Sequence, residues 1–141
     1  MLKNIDDVLE KYPTLTDYGF SDNFADDFPD AVDFIDTLPA SHEAVDATRQ
    51  WISQMFLKTW ENNQPPHGMK TINKRDSSYS LKHLAEKDIG YMTNGVFITA
   101  MILQGFRVQV AGKDGYFNLP KHLVNCAIRL QKNYPFPPPT F

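Results

Sequence analysis

Residues 94–104, NGVFITAMILQ, decide the fold. Asn94, Thr99 and Gln104 are the polar side chains of this run, and no charge occurs in it. Apolar positions fall on every side of a helical wheel, the pattern of a helix surrounded by protein. Burying each large side chain is worth about 1.5–3 kcal/mol, so this helix is expected at the hydrophobic centre. Thr93 is placed to cap it. Gly105 stands where a left-handed residue is wanted after its last turn, with Phe106 packing back across the cap.

Upstream, Asp88-Ile89-Gly90 makes a turn, and Asp76 or Ser77 caps a helix through about Lys87, with Tyr79, Leu81 and Leu84 as apolar contributors. The stretch Asn62–Lys74, NNQPPHGMKTINK, holds a Pro pair and a Gly and reads as a loop. Before it lies the longest helix, roughly 42–62, capped by Ser41. Its stripe is Val45, Thr48, Ile52, Met55, Phe56 and Thr59, widened by Trp51 and Trp60. A short helix from about Pro29 to Leu38 carries Val32 and Ile35. Another over 4–11 has Asn4 as cap and Ile5, Val8 and Leu9 on one face. Residues 13–28 read as irregular, with Tyr18, Phe20, Phe24 and Phe28 pinned to the core and the aspartates facing water.

Downstream, Phe106–Val110 alternates as a strand does. Gly112–Gly115 supplies a turn, and Tyr116-Phe117 begins a return strand. Asn118 and Pro120 open a last helix with Leu123, Ala127, Ile128 and Leu130 on its face. The tail 134–141, YPFPPPTF, is expected to be extended. The fold class is therefore mainly α (α+β): one helical domain over 1–133 with a small hairpin near 106–117. The acidic segment 1–40 packs on it, and a Pro-rich tail follows.

The helix order resembles a helix-turn-helix with a wing. A reading helix must offer polar or basic side chains to base edges and phosphates; 94–104 offers almost none, so the third helix is predicted to be buried.

Bulk composition narrows the classes further. Ten Phe, six Tyr and two Trp in 141 residues argue against wholesale disorder. No apolar run approaches the ~18 residues of a membrane span. The start, MLKNIDDVLEKY, lacks a basic-then-apolar leader pattern. A single cysteine, Cys126, excludes an internal disulfide framework and a cysteine-rich zinc site. A soluble cytoplasmic protein without membrane contact is expected.

Charge is unevenly placed. Residues 1–46 carry 12 acidic and 2 basic side chains, a balance of −10; residues 47–141 carry 12 basic and 5 acidic, a balance of +7. Either the two halves face each other, or the acidic face meets a basic partner surface. In the second case Asp22, Asp26, Asp27 and Asp30, with Phe20 and Phe24, would form the partner-binding surface. A basic patch over 67–87 includes Lys70, Lys74, Arg75, Lys82 and Lys87, suited to phosphates rather than to sequence reading.

Catalytic signatures are weak. His42, His67, His83 and His122 form no HxH or HxxxH pair, so no metal is expected. Ser78 and Lys82 are i,i+4, and His83 and Glu86 are i,i+3, so each pair can touch on a helix. They could be drawn as an acid–base device, although surface pairs of this kind are commoner. His122 and Cys126 are likewise i,i+4, with Cys126 read as a buried, inert thiol. No nucleotide-binding or hydrolase fingerprint occurs and no cofactor is expected.

The string Ser78-Tyr79-x-Leu81-Lys82-His83-x-x-Glu86, then Tyr91-x-x-Asn94-Gly95-x-Phe97-Ile98 and Gly105-Phe106, resembles small uncharacterised proteins of bacterial phages and plasmids. The resemblance covers roughly residues 74–106. It implies a mobile-element origin and an accessory role, and brings no active site. The leading expectation is a non-enzymatic interaction protein modulating a host or phage protein complex. A nucleic-acid-associated accessory protein using the 67–87 patch comes second, and a small enzyme centred on His83 and Glu86 third.

Overall fold

A computed structural model of the chain describes residues 2–22, 42–58 and 70–138. In chain order the elements are α1 (Ile5–Lys11), β1 (Leu15–Thr16), β2 (Gly19–Phe20) and α2 (His42–Ile52), which widens into a π-helical turn (Ser53–Leu57). There follow β3 (Asn73–Ser77), α3 (Ser78–Ile89), α4 (Asn94–Leu103), β4 (Val108–Ala111), β5 (Asp114–Phe117) and α5 (Lys121–Asn133). The protein is of the α+β class, with helices built around two small antiparallel sheets.

All ten residues of α4 are buried, as its unbroken apolar pattern requires. It begins with the Val96 N–H donating to the Thr93 hydroxyl at 3.2 Å. It ends in a Schellman arrangement: the Gly105 N–H reaches Ile102 O at 3.0 Å and the Phe106 N–H reaches Met101 O at 3.1 Å. Gly105 has φ 96°, where a side chain would be strained. Helices α1, α2 and α3 pack around α4. Val45, Thr48, Trp51, Ile52, Met55 and Phe56 form the predicted stripe of α2 and its π turn. Asp88 ties three helices together, accepting from Trp51 Nε1 at 2.7 Å and from Gln131 Nε2 at 2.9 Å.

Several expectations are corrected. Residues 13–28 are not irregular throughout, because Leu15 pairs with Phe20 and Thr16 with Gly19 in a hairpin. Asp17 does not face water: it is buried, accepting from the Thr93 hydroxyl at 2.7 Å through its carboxylate and from the Gly95 N–H at 2.9 Å through its backbone carbonyl. The electropositive start of α4 attracts it. The stretch expected as loop through Lys74 becomes strand β3 from Asn73, joined to β5 with a register shift. Strand β4 starts at Val108 rather than Phe106, since Gly105 and Phe106 are spent on the α4 cap. The hairpin turn is two residues, Gly112-Lys113, because Gly112 at φ 61° supplies the left-handed conformation such a turn needs. Asp114 and Gly115 therefore pair with Ala111 and Val110. Ile128 is exposed on α5, while Leu123, Val124 and Ala127 are buried. The cap at Ser41, the helix expected near 29–38, and Phe24, Phe28, Thr59 and Trp60 lie outside the described residues.

Gly95 marks the tightest packing in this arrangement. A Cβ there would run into the Thr16 carbonyl oxygen and the Asp17 backbone, so the β1–β2 turn sits directly on α4. Gly95→Ala is expected to cost about 1–3 kcal/mol through overpacking; an unchanged urea midpoint would mean that the hairpin does not press on the helix. Phe97→Asp, which places an unpaired charge at a fully buried position, should abolish the cooperative thermal transition.

Candidate functional site

Helical spacing puts Tyr79, Lys82, His83 and Glu86 on one face of α3, at i, i+3, i+4 and i+7. Leu81, Leu84 and Ala85 take the core side. Helix α3 ends at Gly90, whose N–H returns to Glu86 O at 3.0 Å and whose φ of 89° turns the chain sharply. That turn carries Tyr91 back over the α3 face. Thr93 and Asn94 from the start of α4, Lys113 from the β4–β5 turn and Tyr18 from the β1–β2 turn complete a cleft of about 430 Å³.

Glu86 organises its floor. Its Oε2 accepts from Lys82 Nζ at 3.1 Å and from the Met92 N–H at 3.1 Å, and its Oε1 meets His83 Nδ1 at 2.9 Å. Burial would push this carboxyl up. The Met92 N–H, the Lys82 ammonium and His83 outweigh that effect and hold it below the ordinary glutamate range. His83 acts on the carboxylate through charge across this short approach, whereas Lys82 and the Met92 N–H are hydrogen-bonded to it. Lys82 is 6% exposed. Its ammonium lies 5.4 Å from the Tyr79 ring centre and 5.3 Å from that of Tyr91, a doubled cation–π contact. The Tyr79 and His83 rings meet edge to face at 4.4 Å.

The wall beside α4 is also knitted together. Asn94 Nδ2 donates to Asp114 Oδ1 at 2.9 Å. Because a carboxylate needs a donor, this bond fixes the amide orientation. Asn94 Oδ1 is then left buried without a partner. A broader groove of about 700 Å³ lies between α2 and the tail, lined in part by Arg49, Ser53, Gln104 and Phe136. Its central groups satisfy one another, with Arg49 to Gln104 and Gln104 to Ser53 each at 2.7 Å.

The structure brings His83, Glu86 and Lys82 together and separates the other candidates. Ser78 is fully buried and does not join Lys82; its hydroxyl accepts from the Gly115 N–H at 3.0 Å and ties α3 to β5. Phe20 cannot serve as an exposed partner contact, being 4% exposed in the core. Asp22 is exposed, whereas Phe24, Asp26, Asp27 and Asp30 lie outside the described residues. Of the basic patch, Lys82 is withdrawn into the Glu86 pair. Arg75 is engaged by Asp76 at 3.0 Å and Asn125 at 3.1 Å. Lys70, Lys74 and Lys87 remain exposed and do not line the cleft. Cys126 is half-buried rather than buried, and accepts from Arg129 Nη2 at 3.3 Å.

Sequence reasoning missed Tyr18, Tyr91, Thr93, Asn94 and Lys113 as lining residues. The glycine before Tyr91 was the available signal, since a left-handed turn there reverses the chain onto α3. Among the described residues no three His, Cys, Asp or Glu side chains gather as a metal would require, and no helix is long and apolar enough to cross a membrane. No family model, no curated protein and no solved structure matches the chain.

The lowered Glu86 carboxyl makes a pH prediction. A carboxyl that titrates lower folded than unfolded contributes stability that is fully present above the unfolded value, about 4.3. That contribution is lost as pH falls from there through the folded value. Urea midpoints followed from pH 7 downward should therefore drop below about pH 4.3 more steeply for the native chain than for Glu86→Gln. Parallel acid limbs would show that the carboxylate is not held by Lys82, the Met92 N–H and the charge of His83.

Proposed function

We propose that this protein is a non-enzymatic accessory protein that works by docking on a partner through the Tyr79–Tyr91 cleft. One observation carries this reading. Tyr79 is 50% exposed and Tyr91 80% exposed, yet both rings are held in place on either side of a buried ammonium. Exposed aromatics fixed in one orientation lose little entropy on binding, which is why tyrosine is enriched at interface hot spots. The residues of the phage- and plasmid-like string divide in the same way. Tyr79, Lys82, His83, Glu86, Tyr91 and Asn94 line the cleft, while Leu81, Phe97, Ile98 and Phe106 fill the core. A role as a modulator of a host or phage complex follows from that resemblance together with the cleft.

A second reading rests on His83. Its Nδ1 lies 2.9 Å from Glu86 Oε1, and a carboxylate beside an imidazole is a feature of general-base sites. The Thr93 hydroxyl, which lines the same cleft, is already committed to Asp17 and to the Val96 N–H, so such a base would have to act on water or on a bound molecule. Docking needs no such additional reactant and is preferred.

Affinity capture from bacterial lysate tests the docking reading when native chain and variants are run side by side. Tyr91→Ala should lose a stoichiometric component that Lys121→Ala, on the exposed start of α5, retains. Its own stability should fall by about 2 kcal/mol at most, the scale of a cation–π contact to a desolvated ammonium. Identical captured sets from both variants would remove the cleft as the docking point.

A further inference from the structure

We infer that the group received by the cleft is a nucleoside phosphate, with the base on the open face of Tyr91 and the phosphate at Lys113 and His83. This rests on the docking reading of the same cleft and adds the chemistry of the occupant. The argument is a balance of donors and acceptors. Every carboxylate around the cleft is spent within the protein: Glu86 on Lys82, His83 and the Met92 N–H, Asp114 on Asn94, and Asp17 on Thr93. The donors are not all spent. Lys113 is exposed, with no side-chain partner among the described residues; the second ring nitrogen of His83 is uncommitted and donates only in the imidazolium form. A site whose carboxylates are spent while an ammonium stays free favours a ligand that brings acceptors and negative charge; the acceptor left without a partner, Asn94 Oδ1, is buried rather than open to it. Among the lining side chains themselves, Lys82 and Lys113 set against Glu86 give one net positive charge before His83 is counted, while Asp17 and Asp114 lie behind the lining on Thr93 and Asn94.

Aromatic surface supplies the second half of the specification. Lys82 lies against one face of Tyr91, and the ring's 80% exposure leaves the opposite face open. Tyr79 stands across the ammonium with half its surface exposed. Cationic groups interleaved with exposed rings are the recurring composition of sites that stack bases and hold the phosphate between them. A simple carboxylate would use the donors and leave the ring faces wet, whereas a nucleoside phosphate uses both. The cleft, about 430 Å³, has room for one such unit, whether free or part of a single strand.

The experiment is an amide-resolved NMR titration of the full chain with adenosine 5′-monophosphate, adenosine, inorganic phosphate, a short single-stranded oligothymidylate and an oligoglutamate peptide. The monophosphate should shift the Tyr91, Met92 and Lys113 amides and bind at least about tenfold more tightly than adenosine or phosphate alone, a step of 1.4 kcal/mol. Tyr91→Ala and Lys113→Gln should each weaken it by a similar factor. Tighter oligothymidylate binding, with a salt slope that falls by about 0.7 in Lys113→Gln, assigns the unit to a single strand; equal or weaker binding assigns it to a free nucleotide. No cleft shifts with any phosphate ligand, equal binding by Tyr91→Ala, or preference for the oligoglutamate peptide would overturn the assignment. If Tyr91→Ala still loses its captured partner in that event, docking stands and the nucleoside phosphate alone falls.

Discussion

Helix α4 has no side that can face water, and the elements next to it are placed by the need to cover it. Its ten buried residues meet α1, α2, α3 and the β2 hairpin strand. Covering the sides of a helix with apolar groups is simple; covering its N-terminal end is harder, because the first amides have no partner within the helix. Here Thr93 takes the Val96 N–H, and the β1–β2 turn folds over the end so that the Asp17 carbonyl takes the Gly95 N–H. The turn can approach that closely only because position 95 has no Cβ.

The cleft is a consequence of that closure. Bringing the β1–β2 turn onto α4 places Tyr18 at its rim. The same turn reaches the β4–β5 turn through the Phe20 N–H, which donates to Lys113 O at 2.9 Å. Two turns and two helix ends thus converge, and turns carry polar side chains outward where helices carry apolar ones inward. The lining's backbone is set by contacts made for folding, and the Lys82, Glu86, Thr93 and Asn94 side chains are held by hydrogen bonds of their own.

Much of the fold was legible because α4 announces itself. A charge-free, mostly apolar run between a Thr cap and a glycine leaves one reading, and the amphipathic stripes of α2, α3 and α5 follow from their spacing. The short strands were illegible for a physical reason. Asn73–Ser77 has no alternation to read, since its pairing with β5 is irregular and its polar groups bond locally, as when Asn73 Oδ1 accepts from the Arg75 N–H at 2.9 Å. The site was half legible. Lys82, His83 and Glu86 share a helix face by arithmetic, but Tyr18, Tyr91 and Lys113 arrive from three separate turns, and spacing carries no information about how turns meet. Lys82 was also placed in a basic patch: a lysine in a basic stretch reads as solvated unless its ammonium is seen to lie against two rings beside the carboxylate one turn later.

That buried pair has its own argument. Removing two charges from water is costly, and well-packed apolar replacements for such a pair are often neutral or more stable by about 1–4 kcal/mol. Stability alone therefore gives no reason to hold Lys82 at 6% exposure beside Glu86 when leucine and alanine already occupy the neighbouring core positions of α3. The pair does what apolar side chains could not. It sets a negative charge at Oε1 against His83, anchors the Gly90–Met92 turn through Oε2, and sets a positive charge against the rings of Tyr79 and Tyr91. Each of those effects acts on the cleft side of α3 and none on the core side, so the energy spent on burying charge is spent on the shape and polarity of one surface.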